Sequence, residues 1–378
     1  MTQLKLRPSR APRWVPCPGS ARMEAAFPET EPGQAAEEGT AAHWAASESL
    51  LTWVQGAGKL PAQWVGKTAP NGVIVTEEMA KAVTVYVNDL LTVCQRTGGL
   101  QALRVEKTID IHSVHSCHSG TPDCALYSAH ERTLYVWDFK YGWGVVSAFE
   151  NWQLLDYAVG LAEQLPSSPE NVELRIVQPR PYLPRGPVDS WRISGAVLES
   201  EYLPSLRDAA SAATQPQVGC VPGGHCANCK ASLACPALNA AVLRCMDICE
   251  MAAPEDITGA SLGAQVGLLQ LAETLVKERK SGVEAQALAM LARGQHVPGW
   301  TAEPGRGSRK WAADREDILA LGEMAGADLD NPGVITPAQA EKAGVDKEMV
   351  KCYTATTPGA LKLVKQDTSV FNRKPEVN

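Results

Sequence analysis

Two carboxylates and a lysine at the ends of neighbouring β-rich runs form the strongest chemical signal in the sequence. Asp123 opens the first run, and Asp138 and Lys140 close the second. Asp138 and Lys140 are two residues apart in a strand, so both side chains point to one face, and an antiparallel hairpin brings Asp123 beside them. Paired carboxylates attract a hard cation such as Mg²⁺, and a neighbouring lysine can orient a water or stabilise charge on phosphate.

Three further polar residues fit this centre. His43 lies on a predicted helix, and imidazole can supplement the ligands of Mn²⁺ or Mg²⁺. Gln153 and Tyr157 are four residues apart on a later helix, so they share one face and can contact substrate or support the lysine. Each of these residues is also compatible with an ordinary helix surface. Their order along the chain is what makes them candidates.

A second chemical signal is a cysteine run in the segment 217–236, which is rich in Gly and Pro. Cys226, Cys229 and Cys235 follow a C-x₂-C-x₅-C spacing that is typical of metal ligands. Structural zinc sites and iron–sulfur clusters both need four ligands. The candidates for the fourth ligand are Cys220, His225 and the distant Cys17.

Two other segments carry residues that can bind a ligand. His112, His115 and His118 surround Cys117, and we favour a solvated or DNA-facing loop over a second metal site. The segment 300–311 is predicted as a loop or short strand. Its cations and aromatic rings can neutralise phosphates and stack on bases, and the alternative is a surface loop with a packing tryptophan. Its candidate DNA-contacting residues are Trp300, Arg306, Arg309, Lys310 and Trp311.

Hydrophobic periodicity and turn residues predict the elements that position these groups. Helices are expected at 37–54, 77–97, 149–164, 198–213, 237–251, 262–291, 315–321 and 337–342. Strands are expected at 103–111, 124–128, 134–139, 172–177 and 190–193, with 124–139 forming a hairpin. Thr76 is the expected N-cap of the second helix, which should end near Gly98.

Composition excludes several classes of protein. The chain has 378 residues, enough for two or three domains, and we place a boundary near 252–254. Lys and Arg number 35 against 42 Asp and Glu, which argues against coating nucleic acid by bulk charge but permits a local basic groove. No apolar run is long enough to span a membrane, and the N-terminus lacks the apolar core of a secretory signal. Eleven cysteines, an odd number, argue against a closed disulfide framework.

The order of the chemical motifs resembles the PD-(D/E)XK nuclease superfamily, in particular its RecB-like exonuclease branch. The motifs are a helical histidine, Gly-x-x-Asp (Gly120 to Asp123), Asp-x-Lys and Gln-x-x-x-Tyr, and the resemblance covers about residues 17–250. It implies an α/β fold with a restriction-endonuclease-like mixed sheet flanked by helices. It also implies metal binding by His43, Asp123 and Asp138, a catalytic Lys140, a helical motif of Gln153 and Tyr157, and an acidic Glu106 on the first core strand.

Members of this branch that carry a 4Fe–4S cluster place one cysteine before the nuclease core and three after it. On that likeness Cys17 is the fourth ligand, beside Cys226, Cys229 and Cys235. A closed zinc site that uses Cys220 or His225 instead is the alternative. The resemblance therefore implies a nuclease domain, which we place at 1–252 with a cysteine-cluster subdomain at 217–236, and the periodicity predicts a mostly helical region at 253–378.

The whole layout also resembles uncharacterised proteins of phages and prophages. We therefore expect a phage-encoded, Mg²⁺- or Mn²⁺-dependent DNA exonuclease, cytoplasmic in the bacterial host, that acts in recombination or DNA processing. Its expected partners are DNA with free ends and a single-strand annealing or recombination protein. The alternatives are an inactive nuclease fold that binds DNA or a partner protein, and a structure-specific endonuclease. The intact set of Asp123, Asp138 and Lys140 argues against an inactive fold.

Overall fold

The computed structural model falls into two compact units, Met1–Arg279 and Lys280–Asn378. The residues that it describes are 4–27, 33–116, 118–181, 183, 185–249, 259–304, 308–330, 334–357 and 361–365. The expected domain boundary near 252–254 lies outside these residues. The division between the units falls inside a long helix.

A five-stranded mixed sheet forms the centre of the first unit. Its strand order is β1-β4-β5-β6-β7. The strands are β1 (Arg104–Val105), β4 (Cys124–Ser128), β5 (Thr133–Phe139), β6 (Asn171–Val177) and β7 (Val188–Ser194). The β5–β6 pair is parallel, and the other pairs are antiparallel. A separate ribbon pairs β2 (Ile109–Asp110) with β3 (Ser119–Gly120).

Helices cover both faces of this sheet. The helices of this part of the chain are α1 (Ala11–Trp14), α2 (Gly19–Ala25), α3 (Gln34–Val54), α4 (Glu77–Thr97), α5 (Trp152–Glu163), α6 (Gly195–Val197), α7 (Leu203–Thr214), α8 (Pro236–Cys249) and α9 (Gly259–Ala292). One core packs α3 and α4 against Tyr135, Trp137 and Phe139 of β5. The other packs α1, α5 and α7 against Leu134 and Val136 of the same strand. Every residue of β5 is buried because helices lie on both faces.

The sequence placed most of these elements correctly. The hairpin pairs Cys124 with Trp137, as expected for Asp123 to reach the end of β5. Thr76 caps α4 by accepting a hydrogen bond from the backbone N–H of Met79 at 3.2 Å. Gly98, with φ of +66°, ends that helix in the left-handed conformation that favours glycine.

The single strand expected at 103–111 is wrong. Glu106 has φ of +47°, a conformation that interrupts a β-ladder, so the segment splits into β1 and β2. The backbone N–H of Glu106 instead donates to the carbonyl oxygen of Asp123 at 3.1 Å. The helix expected at 198–213 is also modified, because it begins with a π-helical turn at Leu198–Tyr202 before α7.

The second unit contains more strands than the loop or short strand that the sequence predicted at 300–311. Its helices are α10 (Arg315–Ala325), α11 (Pro337–Lys342) and α12 (Lys347–Cys352). The segment 300–311 forms β8 (Trp300–Pro304) and β9 (Ser308–Trp311), which pair with β11 (Leu361–Lys365) and β10 (Thr354–Thr357) respectively. The expectation of a mostly helical region therefore missed two sheets. Short strands near a chain end carry too few residues for a clear period-two pattern.

A buried ion pair joins the N-terminal segment to α5 within the first unit. His118 Nε2 lies 2.7 Å from a carboxylate oxygen of Asp156 in α5, and His118 Nδ1 lies 3.0 Å from the carbonyl oxygen of Leu6. Both side chains are fully buried. Burial alone would lower the pKa of His118, but the hydrogen bond and charge of Asp156 raise it. Burial also raises the pKa of Asp156, against the lowering effect of His118.

This pair corrects the interpretation of the histidine-rich loop. His118 is neither solvated nor DNA-facing, because its ring packs edge-on against Trp14 at 5.7 Å between centroids. His112, by contrast, is exposed. Cys117 lies outside the described residues.

We predict that His118→Ala lowers the free energy of unfolding by about 3–5 kcal/mol, because it leaves Asp156 buried without its partner. Urea denaturation would measure the change. His112→Ala, which removes an exposed ring, is the matched control and should change stability by less than about 0.5 kcal/mol. Equal stability of the two variants would contradict the structural role of the pair.

The same pair predicts a pH dependence. An unfolded histidine titrates near pH ~6.5, whereas His118 keeps its proton to higher pH in the folded protein. Its contribution is therefore complete below about pH 6.5 and is lost as the pH rises through the raised pKa. The stability difference between wild type and His118→Ala should shrink over that range, and a difference that grows with pH would contradict this assignment.

Candidate active site

Three potential metal ligands converge from three different elements. His43 lies on α3, Glu106 directly follows β1, and Asp123 directly precedes β4. One ligand atom from each residue lies within 4.8 Å of the others. One nitrogen and two carboxylate oxygens form a donor set that suits Mn²⁺ or Mg²⁺.

Asp123 is the residue that joins these elements. Its Oδ2 accepts a hydrogen bond from the backbone N–H of Phe139 at 2.7 Å, and its Oδ1 lies 3.4 Å from His43 Nδ1. Burial would raise the pKa of Asp123, but the neighbouring His43 lowers it. Burial would lower the pKa of His43, and the charge of Asp123 instead raises it to about 9. Without a metal ion the two side chains therefore form an ion pair, and a bound metal would replace the proton of His43.

Glu106 joins the group through its unusual backbone conformation. The left-handed φ turns the chain out of β1 and brings the carboxylate to Asp123 and His43. Partial desolvation and the negative charge of Asp123 together raise the pKa of Glu106 to about 7. The resemblance had placed an acidic residue here, but the sequence contains no glycine that would signal the left-handed turn.

Asp138, Lys140 and Gln153 form a second cluster beside the first. Lys140 Nζ lies 2.8 Å from Asp138 Oδ2, and Gln153 Nε2 donates to Asp138 Oδ1 at 2.8 Å. Lys140 Nζ also lies 3.4 Å from Gln153 Oε1. Burial raises the pKa of Asp138 more than Lys140 lowers it. Burial would lower the pKa of Lys140, which the charge of Asp138 raises.

The two clusters are electrostatically connected. The charge of Asp138 contributes to the raised pKa of both His43 and Glu106. The expected ligand Asp138 is not one of the three residues that converge within 4.8 Å. Its oxygens are instead held by Lys140 and Gln153.

Tyr157 lies one turn beyond Gln153 and is buried. It packs against Gly120, where an added Cβ would lie 2.7 Å from the Tyr157 ring and 2.6 Å from Pro8. This close approach explains why the Gly-x-x-Asp motif needs glycine at its first position. Tyr157 therefore shapes the wall of the site, and Gln153 is the member of the helical pair that contacts Asp138 and Lys140.

The cysteines predicted to bind a metal lie around one pocket. The four expected cluster ligands line it together with Cys220 and His225. The structure thus brings the distant Cys17 to the 217–236 segment. It also brings both alternative ligands, Cys220 and His225, to the same pocket. Five thiols and one imidazole therefore surround a site that needs four ligands. All of these cysteines are free thiols.

Cys17 has the environment of a thiolate. Burial would raise its pKa, but hydrogen bonds from His225 and from the backbone N–H groups of Val221 and Ser20 lower it. The Val221 nitrogen lies 3.2 Å from Cys17 Sγ. By contrast, burial and the neighbouring thiols raise the pKa of Cys220 to about 12. Because the thiolate is the metal-binding form, Cys17 is the better prepared ligand of the two.

The structure describes only part of the segment 300–311, and the side chain of Lys310 lies outside that part. Arg309 forms an ion pair with Glu341. Trp311 donates to the carbonyl oxygen of Ile335 at 2.6 Å and packs in the small core of the second unit. Trp300 is exposed, and Arg306 lies outside the described residues. No helix in the described part of the chain is long and apolar enough to cross a membrane.

A protein family described as "Protein of unknown function (DUF2800)" matches residues 4–369, nearly the whole chain. The chain belongs to the DUF2800 family. A solved structure described as "Crystal structure of SSO0001" is similar to this DUF2800 chain at 12% identity and a TM-score of 0.31. The match covers 63% of this chain and 88% of the other. A TM-score at this level does not define a shared fold.

We predict that this DUF2800 protein binds Mn²⁺ through His43, Glu106 and Asp123. Asp123→Asn removes a charged ligand but keeps an oxygen that can accept from Phe139, so affinity should fall by about 10- to 100-fold or more without unfolding. Isothermal titration calorimetry would measure it. Asp110→Asn, at an exposed carboxylate, should bind like wild type. Unchanged Mn²⁺ affinity in Asp123→Asn would exclude this site.

Proposed function

We propose that this protein is a metal-dependent deoxyribonuclease that hydrolyses phosphodiester bonds, with exonuclease action on free DNA ends favoured. One observation carries the proposal: a cluster of the buried Asp138 with the partly buried Lys140 and Gln153 adjoins the three converging ligands of the His43 group. A fixed ammonium beside a hard-cation site is the arrangement that phosphodiester hydrolysis needs.

The residues present fit a Mg²⁺ or Mn²⁺ ion. His43, Glu106 and Asp123 would hold it, and Asp138 would complete the set if its carboxylate shifts from Lys140. When bound, such an ion polarises a phosphoryl oxygen and lowers the pKa of a coordinated water. The raised pKa of Glu106, about 7, reflects its partial burial and the negative charge around it, and a cation would offset that charge.

The protein's own groups supply orientation and charge. Gln153 donates to Asp138 and presents its amide oxygen to Lys140, so one side chain sets the position of both. Lys140 is thereby held as an ammonium whose charge can stabilise the negative charge that develops on the phosphate. Desolvation strengthens that interaction relative to bulk water.

A polar groove of about 410 Å³ adjoins the site. Its lining includes Lys5 and Arg7 from the N-terminal segment and Tyr157 from α5. Lys5 and Arg7 are exposed and, within the described residues, neither side chain has an ion-pair partner. This is the kind of local basic groove that an acidic protein needs to hold a phosphate backbone.

For the cysteine pocket we propose a 4Fe–4S cluster on Cys17, Cys226, Cys229 and Cys235. The depressed pKa of Cys17 supports its role as a ligand, and the cluster would join residues about 200 positions apart. A zinc ion on a set that includes Cys220 or His225 is the alternative, since both residues line the same pocket.

We further propose that the protein is phage-encoded and acts in the cytoplasm of the bacterial host. Its substrate would be DNA with free ends, and its partner a single-strand annealing or recombination protein. This context follows from the motif resemblance and is separate from the chemistry of the site.

We predict that Asp138→Ala and Lys140→Ala each lower DNA cleavage by about 100-fold or more, because each removes charge that the reaction needs. Lys140→Ala should still bind Mn²⁺. The measurement is degradation of end-labelled linear DNA, compared with circular DNA, in Mg²⁺ or Mn²⁺. Exonuclease action predicts loss of the linear form alone.

Lys81→Ala, at an exposed position, is the matched control. Wild-type cleavage by Asp138→Ala would show that the site is misassigned. Cleavage of circular DNA would favour the endonuclease alternative. DNA binding without any cleavage would favour an inactive nuclease fold.

We predict that Cys17→Ser abolishes the metal centre and lowers the stability of the first unit, because the cluster would no longer link Cys17 to the segment 217–236. Anaerobically purified wild type should be brown and contain iron and acid-labile sulfide. Cys352→Ser, at an exposed thiol in the second unit, is the control. A colourless protein with one zinc, which Cys17→Ser retains and Cys220→Ser loses, would establish the local zinc site instead.

A further inference from the structure

The loop that follows Lys140 displays large apolar side chains to solvent. Trp143, Val145 and Phe149 are 63%, 67% and 61% exposed. The loop connects β5 to α5, and these two elements carry Asp138 and Gln153. Large exposed apolar side chains grouped in one loop, three residues beyond the proposed catalytic lysine, are typical of an interaction site.

A buried glutamine holds this loop in one conformation. Gln178 is 1% exposed, and its Nε2 donates to the carbonyl oxygens of Gly142 and Gly144 at 3.0 and 2.6 Å. Its Oε1 accepts from the backbone N–H of Val146 at 3.0 Å. The nitrogen and the oxygen of the Gln178 amide therefore both form hydrogen bonds to the loop backbone, on both sides of Trp143. A ring presented by such a loop loses little entropy when it binds a ligand.

Trp143 is also fixed from one side by a cation. The Arg180 guanidinium carbon lies 4.7 Å from the Trp143 ring centroid and 4.3 Å from that of Tyr141. Arg180 in turn forms ion pairs with Glu78 at 2.9 Å and Glu38 at 3.6 Å. The cation is thus neutralised locally, and the exposed surface of Trp143 is aromatic and uncharged.

Ring contacts lead continuously from Trp143 to the candidate metal ligand. His43 lies 5.3 Å from Phe139, and Phe139 lies 6.5 Å from Tyr141, measured between ring centroids. Tyr141 then contacts Arg180, on which Trp143 stacks. The exposed ring is therefore within a few nucleotides of the site at which a phosphodiester would be cleaved.

We propose that Trp143 is a stacking platform for an unpaired base of single-stranded DNA bound at the active site. This inference rests on the proposed nuclease function and adds its substrate class. A rigid, uncharged aromatic surface binds the π-face of any base without reading sequence. It offers nothing to a phosphate, and bases within a duplex are already stacked on one another. The platform should therefore favour single strands over duplex DNA.

The test measures binding of a labelled oligothymidylate by fluorescence anisotropy in EDTA, which stops metal-dependent cleavage. Trp143→Ala should weaken binding by about 5- to 150-fold, the range for one stacked base. Trp143→Phe, which keeps an aromatic face, should retain most of the affinity, whereas Trp143→Leu should not. Leu60→Ala, at another exposed apolar residue, is the control and should bind like wild type.

Two further readouts separate stacking from other contacts. Because no phosphate is involved, the loss in Trp143→Ala should be the same factor at low and high salt. Binding of a duplex of equal length should change less than twofold. Equal binding by wild type and Trp143→Ala, or full binding by Trp143→Leu, would overturn the proposal, and the latter would indicate an apolar contact such as a protein partner makes.

Cleavage is scored separately so that the two hypotheses fail in different ways. If wild type binds oligothymidylate through Trp143 but cleaves no DNA in Mg²⁺ or Mn²⁺, the nuclease function fails and the stacking platform stands. If wild type cleaves DNA while Trp143→Ala keeps wild-type affinity for single strands, the platform fails and the nuclease function stands.

Discussion

The Asp123 carboxylate is the constraint on which the centre of the first unit depends. One of its oxygens accepts from the backbone of β5 at Phe139, and the other faces His43 on α3. The backbone carbonyl oxygen of Asp123 accepts a hydrogen bond from the backbone N–H of Glu106. A single residue thus fixes a helix, the central strand and the end of β1 relative to one another. The same contacts bring together the three groups that can bind a metal. The contacts that hold these elements in place are therefore also the ones that form the site.

Burial determines the properties of the second cluster. Asp138 lies at the end of a strand that is covered on both faces, where an unpaired carboxylate would be costly. Lys140 and Gln153 offset that cost by occupying its two oxygens. A site built this way is rigid before any ligand arrives. Such preorganisation suits charge stabilisation better than a flexible surface pair would.

The N-terminal segment is held in place by polar contacts as well as by apolar packing. Leu6 accepts from the His118–Asp156 pair, and Cys17 reaches the cysteine pocket. Glu24, buried in α2, accepts from the backbone N–H of Lys230 at 3.2 Å. These contacts close the first unit, because they join residues near the chain start to elements more than a hundred positions away. They also position Lys5 and Arg7 along the groove beside Tyr157.

Local sequence was sufficient for features whose physics is local. The β4–β5 hairpin, the Thr76 cap, the Gly98 terminus and the helix that carries Gln153 follow from periodicity and capping, which neighbouring residues determine. The residue types of the site were also predicted from motif order, and the grouping of Cys17 with the later cysteines from the family resemblance. The element predictions are confirmed by the structure, which also brings Cys17 to the later cysteines.

Tertiary structure decided whatever depends on contacts between distant segments. The left-handed Glu106 breaks the expected strand because it meets Asp123, and no residue beside it signals this. His118 is a buried ion-pair partner because α5 brings Asp156 to it. Gln178, which follows β6, donates to the carbonyl oxygen of Gly144 and so supports the loop that carries Trp143. Cys220 lines the cysteine pocket, although its spacing does not distinguish it as a ligand. A residue type states what chemistry a side chain can do, whereas the fold determines its partners, burial and charge.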